Sequence, residues 1–595
     1  MFNYHKIILC IGLIFHFLNQ NRAQVAPAAV DTGGVEILQA RLGEFVLIKN
    51  EMVRKLVGSV CLRHKDALMY CDSAILDNLN NVIARGNVVI RQSDSINIFA
   101  DSVIYKGFTR TADLSGKEVA LVNNDKKLFT KRLNYDLKTK IATYDTKATL
   151  SDGKTNLTSK RGTYNAANGD AFFKEKVIVE GETFSLKTDT LKFNTQTNRA
   201  VFLAPTLIIQ DSSRIYTEAG SYDIGNSTAH LTKNPQYQKG AQIATADSIT
   251  YDGKTKFVNL QGNARFEDGL KKAKGNTIRY DRQNDISYIE GKGSYEDETQ
   301  KIVSDSIRYD AKSKLYATKG RTIINNPPQI LEADAVDYGQ ESGTGYALGN
   351  VFWQDTSAKI SIRCERADYR KSEDFIKAYG GRPMMTNFSD KDTLWLRADT
   401  IIALRENPKD SMRTLQAFRK VRMYQKGFQS VCDSLTYTQK DSLFRFFYDP
   451  IIWSDTSQLS ADTMFVFTKN KEMEKVLMRG QSFVANSKDE VFFNEIKGRH
   501  CTAFFEKGKL ARVAVEGNAE SVYYIMDDKN AYIGVNKTIC SEMTLHFTEG
   551  KVQNIRFFAE PKAKMTPMKK ADHDAIQLKG FKWWREKRPK NHHDL

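Results

Sequence analysis

The sequence predicts an all-β protein built from a repeated pair of antiparallel strands. The first observation is one series of aromatic side chains with nearly constant spacing: Tyr105, Tyr135, Tyr164, Phe193, Tyr222, Tyr251, Tyr280, Tyr309 and Tyr338. All steps between neighbours are equal except the first, which is longer by one position. A regular period of this length, about 29 residues, is typical of repeat architectures.

The second observation is the pattern inside each unit. Asp247, Ile249 and Tyr251 alternate with Ser248 and Thr250, which is the period of two expected of a half-buried strand. A polar turn follows at 252–255, and a second strand then completes the unit. Two strands of about ten residues and two short turns account for the repeat, and short turns favour antiparallel over parallel pairing.

Glycine and proline recur at one site of the second strand: Gly86, Gly262, Gly291, Gly320, Gly349, Pro205, Pro235 and Pro450. Residues that interrupt a ladder at a fixed site predict a bulge or bend, with a simple loop as the alternative. Strict alternation would place Asp247 on the apolar face. Either this residue lies at the rim of an apolar interior, or a bulge shifts the phase.

The composition favours a folded chain with an anionic partner. The 595 residues are 41% hydrophobic and 11% aromatic, and 88 Lys and Arg against 71 Asp and Glu give a net charge of +17. Nucleic acid, anionic lipid and anionic glycan are the partners that such a charge predicts.

The N-terminal segment 1–23 reads as a secretory signal peptide. The apolar run Ile7–Leu18 is shorter than the ~20 residues of a membrane-spanning helix, and small Ala23 marks the expected cleavage site. An uncleaved anchor is the alternative. Export predicts a periplasmic protein, with or without attachment to the outer membrane, and makes nucleic acid an unsuitable partner.

The repeat pattern predicts the domain organisation. A linker at 24–34 precedes a regular array at 35–370 and a less regular array at 371–560. The tail at 561–595 has 10 Lys and Arg against 4 Asp and Glu, which predicts a disordered basic extension. The alternative is a segment that docks at a membrane interface or a partner, since it carries Trp583 and Trp584.

The residues predict neither catalysis nor a cofactor or metal. The Asp-Ser pair could suggest a catalytic site, but it recurs in many units, so hydrogen bonding between strands accounts for it better. Cys61 and Cys71 could pair across a hairpin centred near Asp66, whereas small-residue packing is the alternative for Cys71.

The repeat unit resembles the OstA-like repeat of lipopolysaccharide-transport proteins, the family of the bridge protein LptA and the N-terminal domain of LptD. The resemblance rests on Ala-Asp-Ser-φ-x-Tyr copies, where φ is apolar, at 100–105 and 246–251, with Ser for Ala at 304–309. Gly-Asn-Val at 86–88 and 349–351 adds to it. It covers roughly 35–559. This chain is several times longer than the single-domain bridge protein, and no membrane barrel is recognisable after the repeats.

The resemblance implies an elongated, twisted, open β-jellyroll with an apolar trough that holds lipid acyl chains. It implies lipopolysaccharide or a related anionic glycolipid as ligand, and other transport components as partners through stacking of edge strands, with self-association left open. The residues predicted to line the trough are Val103, Tyr105, Ile249, Tyr251, Ile307, Tyr309, Val336 and Tyr338.

Three other interpretations remain open at this point. The predicted trough residues could form a closed, dry sandwich core. The protein could be a structural or adhesive repeat protein of the cell envelope, since a parallel β-helix has rungs of similar length. A polysaccharide-acting enzyme on a β-helix would need a cluster of charged residues that breaks the repeat, and the sequence shows none.

Overall fold

The computed structural model describes residues 33–48, 51–210, 212–223, 225–388, 392–405, 413–469, 472–548 and 551–595. The predicted signal peptide and most of the predicted linker lie outside these ranges. The chain divides into two compact units: one extends to residue 298 and includes 310–312, and the other comprises 299–309 and 313–595. The predicted change of repeat regularity at 371 therefore falls inside the second unit.

The described part of the first unit consists of strands. These are β1 (Glu36–Gln39), β2 (Leu42–Ile48), β3 (Glu51–His64), β4 (Ala67–Leu76), β5 (Val82–Gln92), β6 (Ile96–Lys106), β7 (Thr111–Asn123), β8 (Lys126–Asp136), β9 (Ile141–Tyr144), β10 (Ala148–Ser151), β11 (Asn156–Ser159), β12 (Arg161–Asn165), β13 (Asp170–Glu180), β14 (Phe184–Asn194), β15 (Arg199–Phe202), β16 (Thr206–Gln210), β17 (Ser213–Thr217), β18 (Ala219–Asp223), β19 (Thr228–Thr232), β20 (Gln236–Lys239), β21 (Gln242–Thr245), β22 (Ser248–Asp252), β23 (Phe257–Asp268), β24 (Lys271–Asp281) and β25 (Ile286–Glu296).

The second unit continues the same pattern and ends in short helices. Its strands are β26 (Lys301–Asp310), β27 (Leu315–Lys319), β28 (Thr322–Asn326), β29 (Gln329–Ala333), β30 (Ala335–Gly339), β31 (Thr344–Asp355), β32 (Ile360–Arg370), β33 (Phe375–Tyr379), β34 (Met384–Phe388), β35 (Thr393–Arg397), β36 (Thr400–Leu404), β37 (Thr414–Gln425), β38 (Phe428–Thr438), β39 (Leu443–Phe447), β40 (Ile451–Ser454), β41 (Ser457–Ser460), β42 (Thr463–Lys469), β43 (Glu472–Asn486), β44 (Asn494–Glu506), β45 (Lys509–Met526), β46 (Tyr532–Thr548), β47 (Lys551–Phe558) and β48 (Lys562–Pro567). The helix α1 (His573–Ile576) and 3-10 turns at Lys371–Glu373, Met568–Lys570, Arg585–Lys587 and His592–Asp594 complete it.

The long strands bend in the middle, so the two segments of one strand can pair with two different strands. For example, β14 pairs with β15 through Leu191–Asn194 and with β16 through Phe184–Lys187, both antiparallel. Each long strand thus contributes one segment to each of two half-sheets, and their inward side chains form a continuous apolar core in each unit. The prediction of an all-β fold of repeated antiparallel strands, of jellyroll type, is confirmed.

The bend is a β-bulge, as the recurring glycines predict. The register between β5 and β6 shifts after Arg85 and resumes at Val88. Gly86 has a φ of +79°, and a Cβ there would collide with the carboxylate of Asp72. Asn87 Nδ2 donates a hydrogen bond of 2.9 Å to the same carboxylate. The Asp of one strand and the Gly-Asn of the next therefore form one structural device.

The same device resolves the phase of Asp247. Its N–H donates to the carbonyl of Gly262 at 2.8 Å, and its carboxylate accepts from Asn263 Nδ2 at 3.1 Å. Ala244 lies inward before the bulge and Tyr251 lies inward after it, whereas Asp247 is exposed. The bulge shifts the alternation by one residue, so the aspartate leaves the apolar face. The repeated Asp-Ser motif is structural.

The tail is packed, unlike the disordered extension that its composition predicts. Leu578 is 2% exposed and shares a core with Phe483 and Tyr524, against which Phe581 and Trp583 also pack. Glu495 Oε2 accepts a hydrogen bond of 2.7 Å from the Leu578 N–H. The large apolar side chains of the tail cover the face of the half-sheet that points away from the main core, which explains why the segment is ordered.

Cys61 and Cys71 are free, buried thiols in the structure. They lie on paired strands of the predicted hairpin, where Cys61 is opposite Tyr70 and Cys71 is opposite Val60. Burial raises the pKa of the Cys71 thiol to about 11, with the nearby Asp72 carboxylate adding to the effect. Both therefore behave as small apolar side chains of the core.

Candidate functional site

In the first unit, four predicted trough residues have different surroundings. Val103 and Tyr105 are 1% and 2% exposed and belong to the continuous core. Ile249 packs against that core while half-buried, and Tyr251 is 9% exposed. None of the four lines the apolar cavity of this unit that is described below.

The four in the second unit divide similarly. Ile307 is buried, and Tyr309 is half-buried with its ring 4.6 Å from that of Tyr316. Val336 and Tyr338 line a cavity of about 100 Å³. Burial raises the pKa of Tyr338, so its phenol stays neutral. The structure thus brings two of the eight predicted residues to this cavity, and Tyr105 lines a small one of about 20 Å³.

The first unit contains a larger apolar cavity of about 180 Å³. An apolar space of ~150 Å³ stays free of water and accepts an apolar molecule, so this cavity suits a segment of hydrocarbon chain. Its lining is Lys126, Leu150, Ser151, Asp152, Thr155, Leu157, Val179, Phe184, Leu186, Leu191, Phe193, Thr195, Asn198, Ala200, Phe202, Ile208, Ile215, Tyr222, Ala229 and Leu231.

In the repeats that precede the cavity in the sequence, hydrogen bonds between polar side chains, here called bridges, close one edge of the unit. His64 Nδ1 lies 2.5 Å from the hydroxyl of Tyr105. The Tyr135 hydroxyl donates to Gln92 Oε1 at 2.7 Å, and Gln92 Nε2 donates to the Leu137 carbonyl at 2.6 Å. The two tyrosines are 2% and 0% exposed. Each bridge joins the end of one strand to a tyrosine 41 or 43 residues later.

Asn123 makes the third bridge of this closed edge. Its Nδ2 donates to the Tyr164 hydroxyl at 2.9 Å and to the Ala166 carbonyl at 3.2 Å. Burial raises the pKa of Tyr164, against the lowering effect of the Asn123 hydrogen bond. We call these three contacts, of His64, Gln92 and Asn123, the closed edge. Because they are buried and satisfied, they resist opening.

The cavity lies where the series of bridges is interrupted. The strand end that corresponds to Asn123 in the next repeat is Ser151, at the end of β10. The aromatic residue at the position that corresponds to Tyr164 is Phe193, which has no hydroxyl. Ser151 and Phe193 both line the cavity. Phe193 is half-buried, whereas the tyrosines of the closed edge are fully buried. A phenylalanine at this position cannot accept or donate the bridge, so the edge lacks its polar closure there.

Charged groups stand at the same edge of the cavity. Lys126 Nζ lies 2.8 Å from an oxygen of Asp125 and 3.9 Å from an oxygen of Asp152. Asp152 Oδ1 accepts the N–H groups of Lys154 and Thr155 at 2.9 and 2.8 Å, which fixes the turn. The site therefore combines an apolar interior with a polar, charged rim, the arrangement expected for an amphiphile.

Gln210, at the end of β16, is a buried polar residue like Gln92, but it does not form a bridge to a tyrosine. It precedes Tyr251 by the same spacing that separates His64 from Tyr105 in the closed edge. The side chain is 8% exposed, yet its Nε2 has no hydrogen-bond partner in the described part of the chain. An unsatisfied buried amide is costly, which marks this edge as less firmly closed than the edge at Gln92.

Sequence reasoning missed the residues that decide where the cavity lies. Phe193 belongs to the aromatic series, and its difference from the tyrosines was a signal in the sequence. The polar strand ends His64, Gln92 and Asn123 were a second signal, because such residues recur at hairpin turns. In the described ranges, no group of three or more His, Cys, Asp or Glu side chains could hold a metal ion, and no helix is long and apolar enough to cross a membrane.

Comparisons with known proteins agree with the repeat pattern. A family model for OstA-like proteins matches residues 34–189. A model for the LptA/(LptD N-terminal domain) LPS transport protein matches residues 156–286.

Among solved structures, the chain is similar to LptH from Pseudomonas aeruginosa, described as the LptA homologous periplasmic component of the lipopolysaccharide transport device. That match has 20% identity and a TM-score of 0.16, and it covers 16% of this chain and 75% of that chain. No curated protein matches. Both family models fall within the repeats, so the segment 34–286 is similar to OstA-like proteins over 34–189 and to the LptA/(LptD N-terminal domain) LPS transport protein over 156–286.

Proposed function

We propose that the protein is a periplasmic lipid-binding component of lipopolysaccharide transport to, and assembly in, the outer membrane. It holds acyl chains of lipopolysaccharide or a related anionic glycolipid and performs no catalysis. The observation that carries the proposal is the apolar cavity at Phe193, where the polar closure of the edge stops. The match of 34–286 to the two family models and the net charge of +17 support it.

The physical basis is burial of hydrocarbon beside a charged rim. Each methylene removed from water contributes about 0.8 kcal/mol, so six methylenes in the cavity would contribute about 5 kcal/mol. Lys126 at the rim would contact a lipid phosphate in competition with Asp125 and Asp152. The cavity is smaller than a typical ligand pocket of ~300–1,000 Å³, so we expect it to take part of one acyl chain, with the remainder of the lipid outside.

Edge strands supply the expected contacts with other transport components. In the described pairings β1 and β2 bond only to β3. Phe45 and Leu47 on β2 are 71% and 62% exposed. An exposed, apolar edge strand readily pairs with a strand of another protein. The partners proposed here are transport components of the same system, with a second copy of this chain as the alternative.

Native mass spectrometry of the protein purified from its own periplasm tests the proposal. We expect a bound species with the mass of lipopolysaccharide or lipid A, and loss of that species in Phe193→Asp. Phe172→Asp is the matched control, because Phe172 lies on the neighbouring strand β13 and is 37% exposed. A clean unliganded mass, with no uptake of added lipopolysaccharide, would favour a structural or adhesive repeat protein.

A second pair of variants separates the cavity from the trough residues predicted by sequence. Tyr251→Asp and Tyr309→Asp alter residues that line neither of the two apolar cavities described above. If the cavity at Phe193 holds the acyl chain, Tyr251→Asp should bind at least as much lipid as a variant of equal stability elsewhere. Loss of lipid in Tyr251→Asp alone would instead place the ligand along the predicted trough.

A further inference from the structure

A cleft between the last strand and the tail gathers four lysines. It has a volume of about 520 Å³ and lies in the second unit. Its polar lining includes Lys537 on β46, Lys562 and Lys564 on β48, Lys570 in a 3-10 turn, and Asp572. Four ammonium groups against one carboxylate make the cleft strongly positive.

Strand pairing forces two of these charges together. Lys537 is directly opposite Lys564 in the antiparallel pair of β46 and β48, and Lys562 lies two positions before Lys564 on the same face. Like charges directly opposite each other destabilise a sheet. A bound anion would offset this repulsion.

The protein supplies little counter-charge. In the part of the chain that the structure describes, none of the four lysines forms an ion pair with a carboxylate. Lys537 Nζ donates to the Ile576 carbonyl at 3.0 Å. The Asp572 carboxylate, the one acidic group in the lining, accepts a hydrogen bond from the Ala575 N–H at 3.1 Å. The cleft therefore keeps most of its positive charge for a ligand.

Glu495, close to Lys537, is a weak counter-charge at neutral pH. Burial raises the pKa of this carboxyl to about 7, against the lowering effects of the Leu578 N–H and of Lys537. A carboxyl with such a pKa is only partly ionised near neutrality. It therefore neutralises Lys537 incompletely.

We propose that this cleft is a binding site for a phosphate-bearing anion, a phosphomonoester or a diphosphate. Lysine ammonium groups bind phosphate as point charges, and the Thr566 side of β48 adds a hydroxyl to the lining. The phosphate has two sources: the headgroup of a glycolipid, which rests on the proposed function, or a soluble phosphate ester. With either source, this cleft and the cavity at Phe193 would bind different chemical groups, because the cleft is cationic and the cavity is apolar.

Isothermal titration calorimetry with inorganic pyrophosphate at low ionic strength tests the site on the full chain. We expect binding to the wild type and at least a tenfold weaker affinity in Lys562→Gln/Lys564→Gln. The matched control is Lys582→Gln/Lys587→Gln, which removes the same charge from exposed tail lysines next to Trp584. The control should bind within twofold of the wild type. Equal loss in both double variants, or no binding by the wild type, would overturn the proposal.

Thermal unfolding keeps the test independent of folding defects. Without ligand, Lys564→Gln should unfold at the same or a higher temperature, because it removes a like-charge pair. Pyrophosphate should raise the unfolding temperature of the wild type and leave that of the double variant unchanged. A ligand-induced rise that persists in the double variant would place the anion elsewhere.

Competition identifies the source of the phosphate. Lipopolysaccharide that displaces pyrophosphate, while its dephosphorylated form does not, assigns the site to a lipid headgroup. Displacement only by a soluble phosphate ester assigns it to that class. Phe193→Asp, which tests acyl-chain binding, should keep the pyrophosphate affinity, so the failure of one proposal is distinguishable from the failure of the other.

Discussion

Two stretches of the first unit share one repeat but differ at one edge. In the stretch that carries the closed edge, Tyr105, Tyr135 and Tyr164 are at most 2% exposed and each hydroxyl is hydrogen-bonded. In the following stretch, Phe193 stands in place of the tyrosine and a cavity of about 180 Å³ opens beside it. Antiparallel pairing and inward alternation of apolar side chains occur in both. The hydroxyl that Phe193 lacks is therefore one difference between the closed core and the stretch with the cavity.

The bulges differ between the same two stretches. Asp72 with Gly86 and Asn87 forms the full device in the closed stretch. In the cavity stretch, the bulge of β13 is made by Glu175 and Lys176, with φ values of +64° and +54°. Non-glycine residues carry a conformational cost of ~1–2 kcal/mol in this region. The bulge of β13 therefore has two non-glycine residues in this conformation, whereas the bulge of β5 has one, Asn87, with a φ of +45°.

The largest effect is expected from removing a bridge of the closed edge. Gln92→Leu leaves the buried Tyr135 hydroxyl and the Leu137 carbonyl without their partner. Each unsatisfied buried group costs about 1–3 kcal/mol, so we expect the free energy of unfolding to fall by about 2–3 kcal/mol. Urea denaturation, with hydrogen exchange to localise the change, measures it.

Gln210→Leu is the counterpart in the cavity stretch. Because Gln210 Nε2 has no hydrogen-bond partner in the described residues, its loss should change the free energy of unfolding by less than about 1 kcal/mol. Equal destabilisation by the two substitutions would show that the two edges are closed in the same way, and the comparison would fail.

The next effect comes from restoring the missing hydroxyl. Phe193→Tyr places a phenol beside Ser151, as at the bridges of the closed edge. One added hydrogen bond contributes about 1 kcal/mol, which corresponds to about a fivefold change in an equilibrium. We expect about fivefold less bound lipopolysaccharide in native mass spectra. Phe172→Tyr adds the same hydroxyl on the outward face and should bind normally. Unchanged binding in Phe193→Tyr would mean that this edge does not control access.

Much of the fold followed from the sequence because its signals are local. The repeat period, the alternation and the recurring glycines lie within one unit, so they predicted antiparallel strands and a bulge. The phase of Asp247 needed the partner strand, since Gly262 and Asn263 decide it. The predicted trough residues include both core residues and cavity-lining residues, because both kinds occupy inward-facing positions of the same strand alternation.

The cavity and the tail depend on contacts that no local pattern encodes. A bridge such as Gln92 to Tyr135 spans 43 residues, which is longer than one repeat. The tail contacts are longer still: Leu578 binds Glu495 from 83 residues away. Its composition suggested a basic extension, whereas a few apolar side chains at irregular spacing determine its packing.

The smallest effect separates the neutral bridge from Asn123 to Tyr164 in the first unit from the ionic contacts of Arg413 in the second. Arg413 donates to both Asp355 and Asp374 at 2.7 Å, and Asp355 is 1% exposed. Burial would raise the pKa of Asp355, but hydrogen bonds from Ser357 and Ala358 together with Arg413 lower it below the ordinary value of 3.8. The contribution to stability is therefore complete above that value and is lost as the pH falls through the lowered pKa.

Hydrogen exchange at falling pH distinguishes the two kinds of closure. Below an ordinary aspartate pKa, peptides around 355–374 should lose protection, while peptides around Asn123 and Tyr164 should keep it because that bridge joins two uncharged side chains. The change should be modest, since desolvation offsets much of the ion-pair energy. Asp355→Asn is the control and should remove the pH dependence at this edge. If both sets of peptides lost protection over the same pH range, acid would be acting on the whole fold. The difference between the neutral bridge and the ionic contacts would then not explain the pH dependence.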